Sequence, residues 1–136
     1  DKQPIFGYGD CMNVSPKCDY HFHEKPLEEI MSVIKGAEFH IGIGSGLSWL
    51  SWALETHVIM ISSFSKPFCE FQTGITRIYN DTPYSGFFNT VEHKLNPGDW
   101  NWNPFKTIST FEEWHEFETI TPKQVIDKVN EYLGIL

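Results

Sequence analysis

The chain is 136 residues long, 40% hydrophobic and 21% charged, which is enough for one domain with a core of its own. Its formal net charge is −8 with no run of Lys or Arg. That argues against nucleic acid as a main partner, because phosphate neutralisation supplies most of such affinity.

No apolar run approaches the roughly 20 residues of a membrane-spanning helix, so no membrane span is expected. Cys11, Cys18 and Cys69 show no paired spacing. Free thiols in a reducing compartment, and hence a cytoplasmic protein, are expected.

Residues 1–25 carry scattered glycines, prolines and aromatics without periodicity. They read as a long connection with a short extended piece at Ile5–Tyr8. Cys18, His21 and His23 could be taken for zinc ligands, but such a trio in an acidic loop is more often unliganded. Pro26 suits a first helical turn, Glu28 and Glu29 favour its positive end, and Gly36 fits its exit. Leu27, Ile30, Met31 and Ile34 recur at helical spacing along one face.

Phe39, Ile41 and Ile43 then alternate as a short strand. Leu47–Glu55 is apolar nearly all round, which predicts a buried helix with Trp49 and Trp52 in the core. "HVIMIS", residues 57–62, is a continuous apolar run suited to a strand covered on both faces. The order helix, strand, turn, helix, strand predicts a parallel α/β sheet with 39–43 and 57–62 as neighbours. "TRIYN" (76–80) is a further strand candidate. Residues 81–119 form a long irregular insertion rich in aromatics, Asn, Pro and Gly. Thr121, Pro122 and Gln124 then open a last helix with capping-box spacing, and Val125, Ile126, Val129 and Leu133 give it an apolar face.

Across the end of the strand at 39–43 and the start of the helix that follows it runs "GIGSGLS". Gly42, Gly44 and Gly46 alternate there, and Ser45 is placed to cap the helix while Ser48 is placed to reach the same site. Two readings fit. Glycine can let backbone approach an anion at the helix N-terminus, outside the carboxyl ends of the strands. It can equally avoid a clash where a helix packs tightly on a strand. The spacing is neither G-x-G-x-x-G nor a Walker motif.

"FHIGIGSGLSWLSWALETHVIMISSFSKPFCEF" followed by "RIYN" resembles the donor-binding half of bacterial autotransporter heptosyltransferases. These are relatives of the ADP-heptose:lipopolysaccharide heptosyltransferases with the two-domain GT-B architecture. The family pattern is a strand ending in F-x-G-x-S-S-G-L-S-W-L-A-W-A, a V-V-x-I-S strand, a glutamate-phenylalanine pair and an R-x-I-N strand. It runs residue by residue over Phe39–Asn80, and Asp99, Trp100, Trp102 and Pro104 repeat a further family motif. The resemblance implies a Rossmann-like α/β fold forming a single nucleotide-sugar-binding domain, part of a GT-B C-terminal domain. It implies that Gly44, Ser45, Gly46, Leu47 and Ser48 hold the diphosphate of a nucleotide-sugar, an ADP-sugar in first place. Glu70 would contact ribose or sugar hydroxyls; by itself it reads as a solvated loop carboxylate.

The family's loop after R-x-I-N carries four cysteines that hold iron. Here Tyr84, Phe87 and Phe88, then Trp102-Asn103-Pro104, then Phe117-Glu118-Thr119 occupy those places. Phenylalanine and asparagine cannot rebuild a thiolate site, so neither metal nor cofactor is expected. The resemblance also places Asp1–Pro4 just past the family's second donor-domain strand. An earlier strand–helix–strand, the acceptor-binding domain and the general base would then lie outside these residues. No catalytic residue is assigned, and a bare sheet edge is expected to drive self-association or to be covered from residues 1–25. Two functions compete: the donor-binding part of a glycosyltransferase, or a non-catalytic binding module derived from that fold.

Overall fold

The computed structural model describes residues 6–7, 19–21, 25–62, 65–80 and 120–135. Two short strands, β1 (Phe6–Gly7) and β2 (Tyr20–His21), pair in parallel as a sheet of their own. The extended piece expected at Ile5–Tyr8 is therefore present in part, but its partner is β2 and not the strand at 39–43. Ile5, Tyr8, Cys18 and His23 lie outside the described residues.

Helix α1 (Leu27–Gly36) begins after Pro26 and turns Ile30 and Ile34 inward. Gly36 is its last helical residue, and the chain leaves through an extended Ala37. The main sheet holds β3 (Phe39–Ile43), β4 (His57–Ser62) and β5 (Ile75–Tyr79) in the order β3-β4-β5, all parallel. The register pairs Ile41 with Ile59 and Ile61 with Ile78, so these side chains share one face. As the apolar run predicts, central β4 is covered on both faces: Val58, Ile59 and Met60 are fully buried.

Val58 and Met60 pack with Phe71 and Ile75 on one side. Ile59 packs with Ile78, Ile120, Phe39, Ile61, Val125 and Val129 on the other. Helix α3 (Pro122–Tyr132) supplies that second layer. It starts on the expected capping box: Thr121 accepts from the Gln124 backbone, and the Gln124 side chain accepts from the Thr121 backbone. Thr121→Ala removes that reciprocal cap and is expected to cost about 1 kcal/mol, read as a lowered urea midpoint.

Helix α2 (Gly46–Ala53) corrects one expectation. Its fully buried residues are Ser48 and Ser51, whereas Trp49 and Trp52 remain 42% and 40% exposed. Small side chains on the inner face let the helix lie close to the sheet, and the bulky indoles point outward. There the two rings and Phe71 form an aromatic cluster with centroids 5.1–5.9 Å apart. The helix ends in a Schellman motif, with Thr56 N–H donating to Ser51 and Glu55 N–H donating to Trp52. Glu55 takes the left-handed position (φ 63°) that glycine usually fills.

Strand β3 is an edge of the main sheet among the described residues. Its Ile41 and Ile43 are 43% and 53% exposed.

Candidate functional site

The glycine-serine turn joins the C-terminal end of β3 to the start of α2, where ligands collect in open parallel sheets. The first intrahelical bond runs from Trp49 N–H to the Ser45 carbonyl. The N–H groups of Gly46, Leu47 and Ser48 therefore precede the helix's own hydrogen bonding. With the helix dipole they make a locus of positive potential.

The three glycines differ in what a side chain would meet. At Gly42 a Cβ would fall 2.5 Å from His40 Nε2 and 2.9 Å from Ser48 Oγ. That glycine serves close helix–strand packing. At Gly44 a Cβ would fall 2.6 Å from Glu70 Oε1, so its absence makes room for a carboxylate. At Gly46 nothing lies within 4 Å. Clash avoidance does not account for that glycine, and the space beside it is open.

The serines also divide. Ser45 is the N-cap residue, but its hydroxyl makes no capping bond, contrary to expectation. Ser48 is fully buried, and its hydroxyl donates to the Ile43 carbonyl at 2.6 Å. Helical rotation turns position 48 toward the sheet, so its side chain ties helix to strand and only its backbone N–H faces the turn. Leu47 is half-buried beside it.

Glu70 follows the single-turn 3-10 segment Pro67–Cys69. It is 8% exposed, which corrects the reading of it as a solvated carboxylate. Its Oε1 accepts a 2.5 Å bond from buried Ser65, and the group rests against Gly44. The fold thus brings Glu70 to a turn 26 positions earlier in the chain. Sequence reading missed Ser65; its one signal was a hydroxyl five positions before the glutamate. Arg77 bonds the neighbouring Phe71 carbonyl from Nη2 at 3.3 Å.

His40 lies beneath the turn with its Nε2 buried and lacking a hydrogen-bond partner. Burial pushes its pKa below the usual histidine value, and it does the same for His57. Protonation therefore favours the unfolded chain as pH falls below about 6.5 and on through the lower folded values. A melting temperature lower at about pH 5.5 than at about pH 7.5 is expected, with a smaller difference in His40→Asn.

Among the described residues no group of three or more His, Cys, Asp or Glu is placed to hold a metal ion. The insertion at 81–119 and its motif residues Tyr84, Phe87, Phe88, Asp99, Trp100, Trp102 and Pro104 lie outside the described residues. Cys69 is exposed.

No family model matches the chain. It is 35% identical over 100 residues to the autotransporter heptosyltransferase Aah of Escherichia coli, covering 74% of this chain and 25% of Aah. It is 33% identical over 132 residues to the autotransporter heptosyltransferase TibC of E. coli O78:H11, covering 96% of this chain and 32% of TibC. A third relative, BimC of Burkholderia thailandensis, is named an inactive autotransporter heptosyltransferase; it is 30% identical over 76 residues, covering 56% of this chain and 18% of BimC. The crystal structure of TibC, described as an iron-containing dodecameric glycosyltransferase, matches with a TM-score of 0.77 and 31% identity. That match covers 100% of this chain and 36% of the TibC chain. A second TibC structure, in complex with ADP-D-β-D-heptose, matches with a TM-score of 0.72 at the same 31% identity, over 85% of this chain and 31% of that one. The chain thus spans 25–32% of the length of Aah and TibC.

A four-cysteine iron site of the kind the resemblance implies does not fit the residues present here. This chain has three cysteines, at 11, 18 and 69, and none in the long stretch after residue 69. Sulfur-ligated iron needs a thiolate set that this stretch does not offer.

Proposed function

The chain is a homologue of the autotransporter heptosyltransferases over part of their length, and on that premise we propose that it forms the donor-binding side of a glycosyltransferase. Its α/β core would be the Rossmann-like sheet of a GT-B C-terminal domain. Its ligand would be a nucleotide-diphosphate sugar, an ADP-heptose-like donor in first place.

One observation carries the reading: a cluster of helix-start N–H donors and a buried carboxylate stand side by side at Gly44. A carboxylate repels phosphate but accepts from hydroxyls, while the N–H cluster attracts an anion. A ligand suited to both carries an anionic group next to hydroxyl donors. A nucleotide-sugar is such a molecule. In this reading Gly44, Ser45, Gly46, Leu47 and Ser48 hold the diphosphate largely through backbone, and Glu70 takes ribose or sugar hydroxyls.

Transfer breaks the bond between the anomeric carbon and the diphosphate oxygen, which leaves with the bonding pair. The same carbon then joins an acceptor oxygen that gives up its proton. Backbone donors fixed at the helix start stabilise the charge growing on the leaving diphosphate without reorganising. The acceptor-binding residues and the base would be supplied from outside these 136 residues. A cytoplasmic location and self-association through the β3 edge belong to the same reading.

A second reading is favoured by the likeness to an inactive relative. In it the chain keeps the nucleotide site or the fold as a non-catalytic module. Calorimetric titration with ADP and ADP-heptose tests both. Saturable binding supports the donor-site reading, and silence at millimolar ligand supports loss of the site. The 136 residues alone are expected to bind without transferring sugar; transfer by them alone would overturn the donor-side assignment.

A further inference from the structure

The buried Glu70 carboxyl group accepts from one hydroxyl among the described residues, at a spacing that leaves its two oxygens unequal. Oε1 accepts from Ser65 Oγ at 2.5 Å and is the atom nearest the Gly44 Cβ position, at 2.6 Å. Oε2 stands farther off, at 3.6 Å. Ser65 is itself only 8% exposed.

A buried carboxylate without a donor is costly, and its rotation about the terminal bond is broad and nearly two-fold. A fixed hydroxyl donor removes that freedom. It holds Oε1 between Ser65 and the turn, and through the same torsion it fixes where Oε2 stands. In this bond the Ser65 hydroxyl donates and the Glu70 carboxyl oxygen accepts.

We propose that Ser65 is a positioning residue for Glu70, setting the carboxylate's orientation so that one oxygen is held for Ser65 and the other for a donor hydroxyl. The proposal rests on the nucleotide-sugar reading of the site. Ser65 acts through Glu70 and does not itself touch ligand.

The test is a double-mutant cycle on the full chain, titrated with ADP-D-β-D-heptose and followed by calorimetry and by the Gly44 amide resonance. Ser65→Ala is expected to weaken binding about tenfold, the scale of a hydrogen bond to a charged group. Ser65→Thr, which keeps the hydroxyl, is expected to stay within about threefold of wild type. In a Glu70→Gln background Ser65→Ala is expected to add little further loss, because the group it positions is already altered.

Equal losses from Ser65→Ala in both backgrounds would overturn the positioning role, since a purely structural serine gives that result. So would a Glu70→Gln loss with no Ser65→Ala loss. Unchanged binding by Glu70→Gln would instead overturn the assignment of Glu70 to the ligand, and the Ser65 role with it. The free-protein Gly44 amide should shift in Ser65→Ala and not in Ser65→Thr; the reverse pattern would count against the proposal.

Discussion

Gly46→Leu is expected to weaken nucleotide-sugar binding on the order of a hundredfold, about 2.7 kcal/mol, while leaving thermal stability nearly unchanged. The reason lies in the empty space beside that residue. Apart from its chain neighbours and the helix's own backbone, no heavy atom lies within 4 Å of a Cβ there, so a side chain starts into open space. Leucine is also the better helix former at the first position of α2. The side chain would instead occupy the space over the free N–H groups, where a diphosphate would sit. Gly42→Ala provides the contrast. Its Cβ would meet His40 and Ser48 at 2.5 and 2.9 Å, so it should lose about 1–3 kcal/mol of stability through overpacking. Paired melting curves and titrations distinguish the two. An unchanged dissociation constant in Gly46→Leu with a lowered melting temperature would mean that the glycine serves packing after all.

Ile59→Ala is expected to cost about 2–5 kcal/mol, against a total of about 5–15 kcal/mol for a domain. Ile59 is fully buried at the middle of the central strand and touches Ile78 and Ile120. Those contacts join β4 to β5 and to the segment leading into α3. The cavity would lie between layers held apart by strands on one side and a helix on the other, which limits collapse. Urea denaturation should show a lower midpoint with an unchanged slope. A loss under about 1 kcal/mol would mean that α3 does not cover that face in solution.

How much of this was legible in the sequence depends on the kind of signal each element carried. Strands β3 and β4 were legible to the residue because Phe39–Ile43 alternates with a strand's period, and His57–Ser62 is a short apolar run with β-branched residues. The capping box at Thr121 was legible because its chemistry is local. The orientation of α2 was not. A helix apolar nearly all round gives no direction to its inner face, and the choice fell to the serines because only small side chains fit against the sheet. The partner of the Ile5–Tyr8 segment was also illegible, since a two-residue pairing with Tyr20–His21 leaves no periodic trace.

The site was legible in halves. Glycine and serine at a strand–helix junction mark a place where backbone can meet an anion, but the pattern does not separate that use from close packing. The spatial neighbours add that Gly42, Gly44 and Gly46 have three different surroundings. Glu70 entered the sequence reading only through family resemblance. A lone glutamate after Pro67–Cys69 carries no sign that it will be buried against a turn 26 positions earlier. Its burial, and Ser65 beneath it, are consequences of tertiary structure alone.

The central claim is that a nucleotide-diphosphate sugar rests on the start of α2 beside Glu70. The most direct measurement is a titration of the isotope-labelled chain with ADP-D-β-D-heptose, following backbone amide resonances. Saturable shifts concentrated at Gly44, Ser45, Gly46, Leu47 and Ser48, with a smaller response at Glu70, are the predicted result. Shifts that saturate elsewhere while these five amides stay fixed, or no shifts at millimolar ligand, would contradict it.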